Sequence, residues 1–200
     1  MSERQSLPLF PLSTLVLPEG LLPLRLFERR YLDMISACLK SESGFGVCLI
    51  REGQEAGTPA VPYSMGTEVT IVDFDQGKDG LLHIVAQGRQ EFVLHDFKVN
   101  PAGLLIGEVE LLPRETTPVE GDFSGLAVNL EKILDYLGGQ VDYPVKRLDD
   151  AEWVTCRLLE LLPLEPRRKF DILQLRTLQA RLDALLGLSF SVQEADAKDV

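Results

Sequence analysis

Cysteine is scarce and unpaired in this 200-residue chain: Cys38, Cys48 and Cys156 are odd in number, widely spaced, and outside any Cys-x-x-Cys pair. That excludes a disulfide framework and the usual thiolate metal site. Cys38 and Cys156 fall on apolar faces of expected helices and Cys48 in an expected strand, so all three read as reduced core residues. Histidine is scarcer still. His83 and His95 sit twelve residues apart with no second ligand at metal spacing, and read as ordinary strand positions. There is no Gly-x-Ser-x-Gly elbow and no Ser-x-x-Lys pair, which removes the common hydrolytic nucleophiles. Phosphate-binding glycines are missing too: the single Gly-Lys pair, Gly77-Lys78, is followed by Asp79, which has no hydroxyl for magnesium and repels phosphate. No apolar run approaches the roughly 18 residues of a membrane span, and Met1 to Gln5 lead into a proline-broken stretch without a cleavage site. These absences give a cytoplasmic protein with no catalytic residue, no metal, no cofactor and no membrane partner as the expectation.

Basic residues are also in deficit. The formal net charge is −11, with 9 basic against 15 acidic residues up to Pro113 and 11 against 16 beyond it, so the acidity is spread over the chain. Such a surface repels a phosphate backbone at long range, which disfavours direct nucleic-acid binding. What the chain does have is core material: 45% hydrophobic residues against 26% charged ones. A globular chain of this length buries roughly 70% of its unfolded surface.

Extended patterns dominate the first half. Strands are predicted over 7–12, 21–27, 44–50, 67–74, 81–86, 90–97 and 104–112, with Asp75 to Gly80 as a hairpin loop and Asn100 to Gly103 as a second turn. Together they suggest a closed or nearly closed barrel. One helix interrupts them from about Glu28 to Leu39, where Tyr31, Met34, Ile35, Cys38 and Leu39 recur at helical spacing. A long irregular loop is expected from Arg51 to Ser64. Pro113 to Gly121 reads as a linker, and the period then becomes helical. Phe123, Leu126, Leu130, Ile133, Leu134 and Leu137 form one stripe ended by Gly138-Gly139. A capping box from Asp149 to Glu152 opens a second helix that Pro163 closes, Pro166 opens a third to Leu175, and a fourth runs from Thr177 to Leu186. The expected fold class is therefore α+β, with a β-rich part at 1–117, an all-helical part at 118–190 and a polar tail at 191–200. Arginine clusters read blandly: Glu28-Arg29-Arg30 as a solvated flank, Gly88-Arg89 as a bulge or turn entry, and Arg167-Arg168-Lys169 as a solvated helical turn.

Three segments carry a family resemblance. Leu7-Pro8-Leu9-Phe10-Pro11, the Pro18-Glu19-Gly20 turn, and Leu24-Arg25-Leu26-Phe27-Glu28-Arg29-Arg30-Tyr31 resemble, in order and spacing, the N-terminal domain of Lon proteases. The likeness continues at Met65 to Val69, Gly88 to Phe92, Leu148 to Trp153 and Leu161 to Leu164, spanning residues 7 to about 187. It implies a PUA-like β pseudo-barrel with one helix, followed by a helical subdomain. It also implies a non-catalytic module that recognises unfolded polypeptides or a protein partner such as a host Lon protease, standing alone without ATPase and peptidase modules. Peptide-binding candidates are Pro18, Glu19, Leu21, Phe27, Tyr31 and Tyr63, with Phe27 and Tyr31 favoured as core. The alternative is RNA or nucleotide-ligand binding, as other PUA-like barrels do, and that reading requires a basic groove. Oligomeric state is left open.

Overall fold

The computed structural model describes residues 4–113, 122–138, 143 and 145–196, with side chains through Leu188. The chain divides into two compact units, residues 1–114 and 115–200. In the first, six strands and one helix follow the order β1 (Arg4–Leu12), β2 (Leu21–Leu26), α1 (Arg29–Ser41), β3 (Phe45–Glu52), β4 (Val61–Gln76), β5 (Leu82–Val99) and β6 (Leu105–Leu111). The second contains α2 (Ser124–Leu137), α3 (Ala151–Leu161), α4 (Pro166–Leu173) and α5 (Leu178–Asp196). The fold is α+β.

The sheet runs β2-β5-β4-β3-β1-β6, and β5 pairs with β6 as well, which closes a ring of five strands and leaves β2 outside it. Among the described residues only the β1–β3 ladder is parallel. β1 manages two partners by lending its first half, Arg4 to Leu9, to β6 and its second half, Leu9 to Leu12, to β3. Phe92 fills the ring interior with Leu7, Leu9, Cys48, Leu94, Leu105 and Val109. It fits because Gly46 and Gly66 face it: a Cβ on either would lie within 2.8 Å of the Phe92 ring. A larger cluster lies against α1, where Tyr31, Met34, Ile35 and Cys38 pack with Phe10, Phe45, Val47, Val69 and Ile84. Leu39, expected on the same stripe, is exposed instead.

Several elements differ from their sequence expectation. The strands expected at 81–86 and 90–97 are one strand, β5, because the residues between them form a bulge and not a turn. Val69 pairs with Gly88 and Glu68 with Gln90, leaving Arg89 as the extra residue. β4 begins at Val61, so the irregular loop shrinks to 53–60; two register shifts, between Cys48 and Ile50 and between Ile50 and Glu52, let Pro62 pair opposite Ile50. The N-cap of α3 is Asp150, whose carboxylate accepts the Glu152 and Trp153 N–H groups at 3.0 and 3.1 Å, and not Asp149. α5 continues through Gly187 to Asp196, into the stretch read as a tail. A single interior glycine costs only about 1 kcal/mol, and no proline follows it. The linker reading at 114–121 and Gly139 lie outside the described residues.

Two basic groups read as solvated are buried. Arg30 bonds Glu28 at 2.9 Å and the Gly103 carbonyl at 3.0 Å while its guanidinium lies 4.6 Å from the Tyr31 ring centre. Its neighbour Arg29 is exposed and pairs with Asp33. Lys169 extends to the Glu160 carbonyl at 2.7 Å, and burial pulls its ammonium below the usual lysine range against the pull of Glu160. Each is amphipathic, with an apolar stem that packs and a head that finds a fixed oxygen.

Candidate functional site

β2 is the edge of the sheet. It ladders to β5 from Leu21 opposite Gln87 to Leu26 opposite Leu82, and among the described residues no strand pairs with its other side. The Gly88 N–H donates to the Gly20 carbonyl at 2.9 Å, which fixes the phase of the ladder: Leu22, Leu24 and Leu26 bond toward β5, while Leu21, Pro23 and Arg25 turn their main-chain groups outward. Pro23 therefore loses no ladder bond. Its missing N–H instead removes a donor from the free edge.

β3 stops pairing with β4 at Phe45 opposite Val69, whereas β4 and β5 continue together to Gln76 opposite Leu82. The last turns of this hairpin, with β2 alongside, project as a three-stranded arm. Phe74 lies opposite Ile84, and Ile84 opposite Leu24, so the Phe74 ring points to the same face as the buried Ile84. Beyond the end of β3 that face is covered at Ile84 but not at Phe74, which is 58% exposed. Phe27, at the end of β2, is 62% exposed. Between them Leu26, Leu32, Leu81 and Leu82 complete an open apolar groove of about 500 Å³, with Asp75, Gln76 and Gly80 along its border.

A smaller cavity of about 160 Å³ follows the free edge of β2, lined by Phe10, Leu12, Leu24, Leu26, Phe27 and Tyr31, with Arg25, Glu28 and Glu55 around it. Glu55 is held there by Ser13, whose N–H at 2.7 Å and hydroxyl both donate to the same oxygen. On the outer face of the arm, Pro23, Val85 and Asp73 form one cross-strand row and Arg25, His83 and Asp75 the next. They border a third cavity of about 260 Å³. Asp79 organises this end by accepting the Leu81 N–H at 3.1 Å and meeting Arg25 at 3.0 Å and His83 Nε2 at 3.2 Å. These contacts, the Leu81 bond foremost, hold its carboxyl below the usual carboxylate range.

The six sequence candidates do not converge. Phe27 and Tyr31 share the smaller cavity, but in different states. Phe27 is on the surface, contrary to its reading as core, because β2 ends where α1 has not yet begun and nothing covers the ring. Tyr31 is buried at 4% exposure, stacked on Phe10 with ring centres 3.8 Å apart. Burial pushes its phenol up to about 12, against the opposing pull of Arg30. Tyr63 is buried in β4 at 8% exposure and lines none of the three cavities. Pro18, Glu19 and Leu21 lie at the opposite end of β2, roughly 20 Å of extended chain from Phe27. There the Glu19 N–H donates to the Gly88 carbonyl at 2.8 Å, and Glu19 adopts a left-handed φ of 67°. That turn docks on Gly88 so closely that a Cβ would sit 2.0 Å from the Leu17 carbonyl oxygen.

Phe74, Leu81 and Leu82 were not among the candidates. The signal for Phe74 is Asp73-Phe74-Asp75 beside a glycine loop: an aromatic between carboxylates at a strand end has no core to enter. Elsewhere His95 Nε2 lies 2.9 Å from Glu110. The three cysteines are buried, and burial raises the Cys38 and Cys48 thiols. Among the described residues no three His, Cys, Asp or Glu side chains gather as metal ligands, and no helix is long and apolar enough to cross a membrane.

The first unit is thus a five-stranded ring with an edge arm along which apolar grooves open, and a helical unit follows it in sequence. The chain belongs to the ATP-dependent protease La (LON) substrate-binding domain family, which it matches over residues 6–188. It is 39% identical to a Lon N-terminal domain protein from Xanthomonas campestris, whose crystal structure superposes with a TM-score of 0.75 and covers 92% of this chain and 98% of that one. The N-terminal domain of Mycobacterium avium complex Lon protease shares the fold at 18% identity, with a TM-score of 0.63 over 92% of this chain and 97% of that one. Among curated proteins, Haemophilus influenzae Lon protease is 24% identical over 98% of this chain, and Danio rerio protein cereblon is 30% identical over 57% of it. The chain spans about a quarter of the length of these two relatives, 25% and 27% respectively. The family match is to the substrate-binding domain, without a protease or ATPase domain.

Proposed function

We propose that this chain is a non-catalytic polypeptide-binding module whose recognition surface is the apolar groove between Phe27 and Phe74. The carrying observation is two large aromatic rings, each more than half exposed, flanking one groove on a projecting arm in a member of a substrate-binding family. Unfolded polypeptides expose the apolar side chains that such a groove desolvates, and a Lon-type protease in the same cytoplasm is the natural partner for a chain that gathers them. In this reading residues 1–117 act as a PUA-like pseudo-barrel that carries the site, and 118–190 as a separate helical subdomain. Carboxylates outnumber cations around the grooves, which supports a polypeptide ligand over RNA or a nucleotide.

Titration of a permanently unfolded, fluorescently labelled polypeptide tests the proposal. Saturable binding is expected, with the double substitution Phe27→Ser and Phe74→Ser weakening it by at least about tenfold while the melting temperature stays within a few degrees. Absence of binding, or equal binding by the variant, overturns it.

A further inference from the structure

The grooves are apolar inside and acidic outside. Around the three cavities the charged side chains are Arg25, Glu28, Glu55, Asp73, Asp75 and His83. The single cation of fixed charge, Arg25, is engaged by Asp79 at 3.0 Å, which neutralises it. Glu28 is likewise engaged by Arg30 and Glu55 by Ser13. Asp73 and Asp75 differ: each accepts the main-chain N–H of the following residue, Phe74 at 2.9 Å and Gln76 at 2.7 Å, and among the described residues neither has a Lys or Arg at ion-pair distance. Both are exposed and flank the Phe74 ring in sequence. Asp75 borders the apolar groove that a ligand would cover, and Asp73 stands one cross-strand row away on the outer face of the arm.

Resting on the polypeptide-binding reading, we infer that the preferred ligand is an extended segment in which an aromatic or large aliphatic residue is followed or preceded by Lys or Arg. The apolar residue enters between Phe27 and Phe74, and the cation reaches Asp75 at the groove border, with Asp73 on the outer face adding its negative field. Pro23 strengthens the case for side-chain readout. With one outward donor missing from the free edge of β2, continuous strand addition is poorly supported there, and selectivity falls to apolar contact and charge. Rim charges of this kind act chiefly on selectivity and association rate, and salt screens them.

The test uses the full chain and three peptides with one common apolar core, flanked by Lys, by Ser or by Glu, titrated by fluorescence anisotropy at low and at 0.5 M salt (a salt level of about 4 Å Debye length). At low salt the Lys-flanked peptide is expected to bind about tenfold more tightly than the Glu-flanked one, with the Ser-flanked peptide between. The gap should close at high salt and in Asp73→Asn/Asp75→Asn, whose amides keep the main-chain bond. Phe74→Ala should weaken all three peptides together. Equal affinity for the Lys- and Glu-flanked peptides, or a preference that survives the double Asn substitution, overturns the charge inference and leaves the groove standing. Failure of every peptide to bind overturns both.

Discussion

Gly88 sits where two main chains nearly touch. The turn of Leu17 to Gly20 is laid over it by two hydrogen bonds, and a methyl group there would meet the Leu17 oxygen at 2.0 Å. Neither partner is a side chain that could swing aside. Gly88→Ala is therefore expected to lower stability by about 3 kcal/mol, in the upper range for single substitutions, and chemical denaturation would reveal it as a shifted midpoint with an unchanged slope. Glu68 gives a pH-dependent counterpart. It is half-buried in β4, and burial raises its carboxyl above the usual range more than nearby Arg89 lowers it. A raised folded-state pKa means that the folded form prefers Glu68 protonated, so stability falls as pH climbs from the ordinary carboxylate pKa through the raised one. Glu68→Gln should accordingly raise the melting temperature at pH 7 and leave it nearly unchanged at pH 3. Asp79 carries the opposite sign, since its lowered pKa adds stability above the ordinary carboxylate range that is lost on acidification. The Glu68→Gln comparison thus isolates one falling limb from a whole-protein profile that Asp79 pushes the other way.

At the level of elements, the β2-β5-β4 arm combines a free edge with exposed aromatics, a pairing that invites aggregation. Pro23 is the device that limits it. Pro23→Val would restore an outward N–H and a β-branched side chain on the edge, and is expected to promote self-association, seen by multi-angle light scattering as concentration-dependent mass above 22.3 kDa per chain. Val at this position costs the β5 ladder nothing, so the monomer's melting temperature should hold. Much of this architecture was legible from residue patterns, since β1, β2, α1 and β6 follow from alternation and helical spacing. Gly88-Arg89 reads as a bulge or a turn entry, and it is the bulge; what the pattern hides is that the strand runs on through it for 18 residues. Adjacent Asp149 and Asp150 offer the same chemistry for a cap, and it is Asp150 that stands where its carboxylate accepts the Glu152 and Trp153 N–H groups. Arg30 and Lys169 look like solvent residues because composition says nothing about the carbonyl that waits for the head group. The candidate site was legible by half: Phe27 was named, but its exposure depends on the gap between β2 and α1, and that of Phe74 on where β3 stops pairing. The latter is a fact of register between strands far apart in the chain.

Across the whole molecule, every side chain assigned to the groove and its acidic border comes from the first compact unit, residues 1–114. Both core clusters of that unit draw only on residues up to Leu111, with closed pairing around five strands and one helix against them. A ring with no unpaired strand inside it and its own apolar clusters satisfies its main-chain groups internally, which is the requirement for folding alone. The fragment 1–117 is therefore expected to unfold as a single cooperative transition and to bind the Lys-flanked peptide within about threefold of the full chain (about 0.6 kcal/mol). Isothermal titration calorimetry on the fragment and on the full chain decides it. A folded fragment that has lost more than tenfold in affinity (1.4 kcal/mol) would mean that the helical unit supplies ligand contacts. A fragment that fails to fold would mean that the boundary near residue 117 does not separate independent units.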